Sequence, residues 1–335
     1  MKVAIIIPYF GKLPNYFPVW LNSVKFNLNF DFLIFTNDKS IYEYSLPDNV
    51  CVNIENFEDF KSEVQSNFDF KIKLEKPYKI CDYRPAFGLI FKKYLNQYDF
   101  WGWCDLDMIF GNLNKFITNT VLEKYDRIYE WGALSLYRNT DKMNHLFERK
   151  NKFKDCPSYR LVFKHNLSFY FDEVGTGRGY GYGQSVVINR LPDTYLYRNS
   201  DLADINPMKY KFELFHFNSK NYNYFEFKDG KIYGVNKNQK DEFVYAHFQK
   251  RNLKIAPNLN ESSFYIGPTI ISSNLKQIYE SLTDSREQKK YEELQQKRMK
   301  QTKFKELAPF SLLWKIRNKV NYVFSINDKK ENNLF

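Results

Sequence analysis

Phe100-Trp101-Gly102-Trp103-Cys104-Asp105-Leu106-Asp107-Met108-Ile109-Phe110-Gly111 is the stretch on which the fold turns. Its first five residues read as a strand buried on both faces, and the run stops at two carboxylates. Upstream lie three runs of the same kind: Val3–Ile7, closed by Pro8; Phe32–Phe35, ending in Thr36-Asn37-Asp38; and Val50–Ile54. Between them, helical spacing sets Phe17, Trp20, Leu21, Val24 and Leu28 on one face of a helix starting near Asn15. Phe87, Ile90, Phe91 and Tyr94 do the same for a second helix over 85–94. Buried strands alternating with helices predict an α/β fold, a mixed but mainly parallel sheet flanked by helices. In open α/β sheets ligands gather at the C-terminal strand ends, so Pro8–Pro14, Thr36–Asp38 and Asp105–Asp107 are expected along one rim.

Beyond residue 130 the pattern is mixed. Ala133–Tyr137 and Phe243–Phe248 read as strands, and Phe225–Tyr233 as a hairpin turning at Asp229-Gly230. The glycine-rich run 175–183 lacks the strand–glycine–helix context of a phosphate cradle.

Composition excludes several classes. A chain of 335 residues with 32 Phe and 26 Tyr is not a disordered one. No apolar run approaches the ~20 residues of a membrane span, and the N-terminal run ends at Pro8, too short for a signal core. Cys51, Cys81, Cys104 and Cys156 form no Cys-x-x-Cys pair, so reduced thiols and a cytoplasmic location are expected. The net charge is +11, and Arg286–Phe335 alone holds 13 Lys and Arg against 6 Asp and Glu. With the charge so placed and no recognition motif present, nucleic acid is not an expected partner.

Four clusters carry chemistry. Residues two apart in an extended segment share a face, so Asp105 and Asp107 can converge on one divalent cation, Mg²⁺ or Mn²⁺; the alternative is a solvated turn. In Lys79-Ile80-Cys81-Asp82-Tyr83-Arg84, the two cations suit a phosphate or a loop pin, and Asp82 a sugar hydroxyl or, more simply, a helix cap. In His247-Phe248-Gln249-Lys250-Arg251, a neutral imidazole would complete a site begun by two carboxylates, and Lys250 and Arg251 would neutralise a diphosphate. His216 is a rival ligand. Either Asp172 or Glu173 would serve as a base toward an acceptor hydroxyl, the plain alternative being a helix start.

In order and spacing, Ile7-Pro8-Tyr9-Phe10-Gly11, Phe35-Thr36-Asn37-Asp38, Lys79–Ala86, Trp103–Asp107, Phe171-Asp172-Glu173 and His247–Arg251 resemble bacterial GT-A-type glycosyltransferases of polysaccharide (capsule or O-antigen) biosynthesis. The resemblance covers roughly 1–255. It implies a Rossmann-type domain, with a nucleotide-sugar half over 1–130 and an acceptor half over 131–255. It further implies a UDP-sugar donor, a glycan or lipid-linked glycan acceptor, and Mn²⁺ or Mg²⁺ held by Asp105, Asp107 and His247. Pro8, Tyr9, Phe10, Asp38, Lys79, Asp82, Arg84 and Asp105 would shape the donor pocket, with Lys250 and Arg251 toward the diphosphate and Asp172 or Glu173 as base. A non-catalytic carbohydrate-binding protein is the competing reading.

Residues 256–335 are expected to form a basic helical tail. Leu312, Leu313, Ile316, Val320, Val323 and Phe324 share one side of a helical wheel, and 297–319 holds 8 Lys and Arg against 1 acidic residue. Such a helix suits the inner face of an anionic membrane, each basic group contributing about 1 kcal/mol; the alternative is packing on the body of the protein or on another subunit.

Overall fold

Val3, Ile5 and Ile7 face one core and Ala4 and Ile6 another, and all five are buried. This is how a strand sealed on both faces must alternate. A computed structural model describes residues 1–149, 155–175, 181–215, 220–249 and 251–306, together with 313 and 316. Its first strands are β1 (Val3–Pro8), β2 (Phe30–Thr36), β3 (Val50–Ile54) and β4 (Phe100–Cys104). They are followed by β5 (Met108–Phe110), β6 (Arg127–Trp131), β7 (Leu134–Arg138) and β8 (Leu196–Tyr197). The central sheet runs β3-β2-β1-β4-β7-β6-β8. The first four of these are parallel, β7 is antiparallel to both β4 and β6, and β8 is parallel to β6. The protein is thus mixed α/β.

The β4–β7 contact is tight because Gly102 allows it. A Cβ on Gly102 would stand 2.1 Å from the carbonyl oxygen of Ser135. On the opposite face of the sheet Trp101 stacks on Tyr137, with ring centroids 4.7 Å apart and planes 8° from parallel.

Two helices differ from expectation. The first spans Phe17–Val24, and Leu28 is left exposed. The helix stops because Asn27 turns inward, its amide donating to the carbonyls of Ser23 and Gly111. Over 85–94 there is no continuous helix. A 3₁₀ segment, Pro77–Ala86, gives way to the short helix Phe87–Ile90 and a second 3₁₀ turn, Lys92–Tyr94. Pro85, which has no N–H to donate, lies inside the first of these.

Three further sheets are built by the remaining strands. These are β9 (Leu202–Asp204), the short pair β10 (Phe212–Glu213) and β11 (Asn221–Tyr222), β12 (Tyr224–Lys228), β13 (Lys231–Asn236), β14 (Gln239–Phe243), β15 (Tyr245–His247), β16 (Lys254–Ile255), β17 (Ser263–Ile266) and β18 (Ile270–Ser272). A three-stranded sheet runs β5-β15-β9, and a six-stranded one β14-β13-β12-β17-β18-β16. The β12–β13 hairpin turns at Asp229 and Gly230, both at positive φ, as an Asp-Gly pair favours. The expected strand over 243–248 is divided between β14 and β15, which lie in different sheets.

The boundary expected at residue 255 needs correcting. Residues 263–272 are not helical tail: β17 pairs with β12, and Phe264 stacks on Phe227 with centroids 4.7 Å apart. Helices begin only at Leu275–Thr283 and Ser285–Glu306, and the second is tied down by Tyr291, whose hydroxyl donates to the carbonyl of Pro207. Of the apolar face expected over 312–324, only 313 and 316 are among the described residues. Among the described residues no helix is long and apolar enough to cross a membrane. All four cysteines are free thiols.

Candidate functional site

Asp105 follows β4 directly, and Asp107 precedes β5. The chain leaves the central sheet and enters the three-stranded sheet within three residues, so both carboxylates sit at the junction. β15 lies between β5 and β9, with His247 aligned with Met108 on one side and with Asp204 on the other. That register delivers the imidazole to the same junction from 140 residues away.

Nε2 of His247 is 3.2 Å from Oδ1 of Asp107 and 3.7 Å from Oδ2 of Asp105, and its Nδ1 is 2.8 Å from Oδ1 of Asp204. Burial works against charge on this ring, but Asp107 and Asp204 outweigh it and hold the pKa well above the ordinary histidine value. Ligating atoms of Asp105, Asp107 and His247 all lie within 4.8 Å of one another. Two carboxylates and one imidazole form a donor set that fits Mn²⁺ or Mg²⁺. In this structure the ring nitrogen already points between the two carboxylates.

Arg84 joins this cluster to the acidic pair. One guanidinium nitrogen donates to Oδ1 of Asp105; the other donates to Oδ2 of Asp172 and to the carbonyl of Gly132, both at 2.9 Å. That carbonyl lies just past a bulge in β6–β7 pairing at Ile128/Trp131, where Tyr129 has φ 64°, and it also accepts from the Trp103 indole. Burial would discharge Arg84, but Asp105 and its other neighbours hold its pKa well above the ordinary value.

Asp172 is 1% exposed, and Glu173 is half-buried against Gly132, where a Cβ would meet its Oε1 at 2.3 Å. Burial raises both pKa values. Arg84 pulls that of Asp172 back, while Asp172 and Asp105 push that of Glu173 higher still. The pair does not start a helix: among the described residues the next one, Gln184–Asn189, begins eleven residues later.

The loop after β1 forms the rim. Tyr9 is half-buried, and burial, Asp107 and Asp38 together raise its pKa. Pro8 is paired to Phe35 at the strand end. Asp38 braces this loop, accepting from the Leu13 N–H and from Ser40; these bonds lower its pKa.

Other expected site residues serve elsewhere. Phe10 is core, packed against Phe57 and Phe60. Lys79 and Asp82 are 3% and 0% exposed and bind each other at 2.8 Å. The amine also donates to the carbonyls of Val162 and Leu167, and Asp82 accepts the N–H groups of Phe169 and Phe171. Together they pin the 162–171 segment that leads to Asp172. Arg251 is also corrected: it is 2% exposed, and its guanidinium donates to the carbonyls of Lys209, Tyr210 and Pro268 beneath the Tyr291 ring. Lys250 and His216 lie outside the described residues.

Asp204 is the site residue that sequence reasoning missed. Leu202-Ala203-Asp204 repeats in miniature the apolar strand ending in an acid that marks Asp105, but three residues are too few to stand out.

A search of curated proteins returns no match. A family model matches residues 5–275, a span that takes in every strand of the fold except the start of β1, and the protein therefore belongs to DUF6625, a family of unknown function.

Proposed function

We propose that the protein is a divalent-metal-dependent glycosyltransferase that moves a sugar from a nucleoside-diphosphate donor, with UDP as the expected nucleotide, to a hydroxyl of a glycan or lipid-linked glycan. The observation that carries this reading is the convergence of Asp105, Asp107 and His247, with Arg84 and Glu173 beside them. Asp105, Asp107 and His247 would hold Mn²⁺ or Mg²⁺. The bound ion would supply Lewis acidity to the departing diphosphate.

The protein's own groups divide the remaining work. Arg84 fixes Asp105 and Asp172 relative to each other through a guanidinium bridge. Asp172 is shut from solvent, so Glu173 is the carboxylate assigned to take the proton of the acceptor hydroxyl. Its raised proton affinity suits that task. Tyr9, at the rim near Asp107, would face the donor. The parallel order β3-β2-β1-β4, with the carboxylates at its C-terminal edge, is in keeping with a GT-A-type domain.

The test is a panel of nucleotide sugars incubated with the protein and Mn²⁺, with nucleoside diphosphate release as the readout. One donor should be turned over, and Asp105→Ala should abolish that turnover. A protein that binds glycan but turns over no donor, with Asp105→Ala leaving the binding intact, would replace this reading with the carbohydrate-binding one.

A further inference from the structure

We propose that Asp204 is a positioning residue of the metal centre, which together with Gln249 orients the His247 ring so that Nε2 is presented to the ion between Asp105 and Asp107. The inference rests on the reading of those three residues as a cation site and adds to it what aims the imidazole.

Three observations on different elements agree. Register comes first: His247 and Asp204 are direct partners across β15 and β9, so neighbouring backbones fix the approach of the two side chains. The second is the bond itself, with Oδ1 of Asp204 2.8 Å from Nδ1 and on the opposite side of the ring from Asp107. Because the ring stands between them, Asp204 acts through His247 rather than on the ion.

The third is Gln249. Its Nε2 donates to the same oxygen of Asp204 at 2.6 Å, which holds the carboxylate in place. Gln249 reaches it from φ 50°, a left-handed conformation that a residue with a side chain adopts at a cost. Arg251 holds this turn: its N–H donates to the carbonyl of Phe248, and its guanidinium is fastened to three more carbonyls. The buried Arg251 thus anchors the backbone that brings Gln249 to Asp204. An imidazole without a partner on Nδ1 is free to turn, and a ligand that must be oriented on binding binds more weakly.

The test measures Mn²⁺ binding to the full chain by the electron paramagnetic resonance signal of free Mn²⁺, with no donor present. The parent protein should bind, and Asp204→Ala should weaken binding about 10–100-fold. Asp204→Asn, which keeps an acceptor oxygen but not the charge, should fall between the two, and Gln249→Ala should show a smaller loss. In the Mg²⁺-saturated protein, the ¹⁵N resonances of His247 should report a protonated Nδ1 in the parent and lose that signature in Asp204→Ala.

If the parent binds Mn²⁺ and Asp204→Ala binds equally well, the positioning role is refuted while the metal centre stands. If the parent binds no Mn²⁺, or Asp105→Ala binds as much as the parent, the centre itself is refuted and this role with it. Should Asp204→Ala not fold, Asp204→Asn decides: a loss supports the role, and parental affinity overturns it.

Discussion

The ammonium of Lys79 lies 2.8 Å from a carboxylate oxygen of Asp82, and neither group reaches solvent. The pair makes a buried peg, since Asp82 also takes two backbone N–H groups from the segment before Asp172. Asp82→Ala leaves a buried cation and two amides without their acceptor and should cost about 3–5 kcal/mol of stability. Equilibrium urea denaturation measures this; a loss below about 1 kcal/mol would contradict the structural role.

Gly102 lets β4 lie against β7 at the strand end that carries Asp105. Gly102→Ala drives a methyl into the Ser135 carbonyl, where only backbone movement can relieve the contact. Destabilisation of about 1–3 kcal/mol or more is expected. Mn²⁺ affinity, measured on the folded variant, should fall as well, because the displaced strand carries a ligand.

Arg84 spans Asp105, Asp172 and Gly132 with a planar fork that an ammonium cannot reproduce. Arg84→Lys should lower donor turnover about 10–100-fold, measured well below the variant's melting midpoint. Parental turnover would show that the bridge is dispensable.

Arg251 is expected to affect stability without touching the diphosphate itself. Arg251→Ala removes the donor from three buried carbonyls and should cost about 3 kcal/mol. Titration of the folded variant with UDP at saturating Mn²⁺ should give the parental affinity; loss of UDP binding under that condition would return the guanidinium to the diphosphate.

Glu55, just past β3, provides a pH signature. Burial first, then Glu63, raises its pKa from 4.5 to about 7, although Lys93 opposes the shift. Between those values the folded chain holds the proton more tightly than the unfolded one. This group's contribution is therefore fully present below about 4.5 and is lost as pH rises to about 7. Glu55→Gln should be more stable than the parent at pH 8 and equal to it at pH 4, as read from urea midpoints. Equal midpoints at both pH values would refute the assignment.

Much of the fold and part of the site were legible in the linear chain. Runs such as Val3–Ile7 and Phe100–Cys104 are too apolar to face water on either side, so burial alone makes them central strands, and the polar residues that end them must lie at an edge. Asp105 and Asp107 are two residues apart and so had to be neighbours, but they converge at a bend between β4 and β5 rather than along one extended face. Sequence also favoured the turn at Asp229-Gly230, because its chemistry lies within two residues.

Only the tertiary structure could sort the remaining charged residues. Lys79 and Arg251 have the chemistry of a phosphate contact and Asp82 that of a sugar-hydroxyl acceptor, yet each is bonded to backbone groups that come from elsewhere in the chain. Asp204, in a strand too short to be noticed, meets His247 only through the parallel pairing of β9 with β15. Strand order and register depend on the sum of contacts over four sheets. A charged side chain's partner depends on which distant segment closes over it, and residue type carries no record of that.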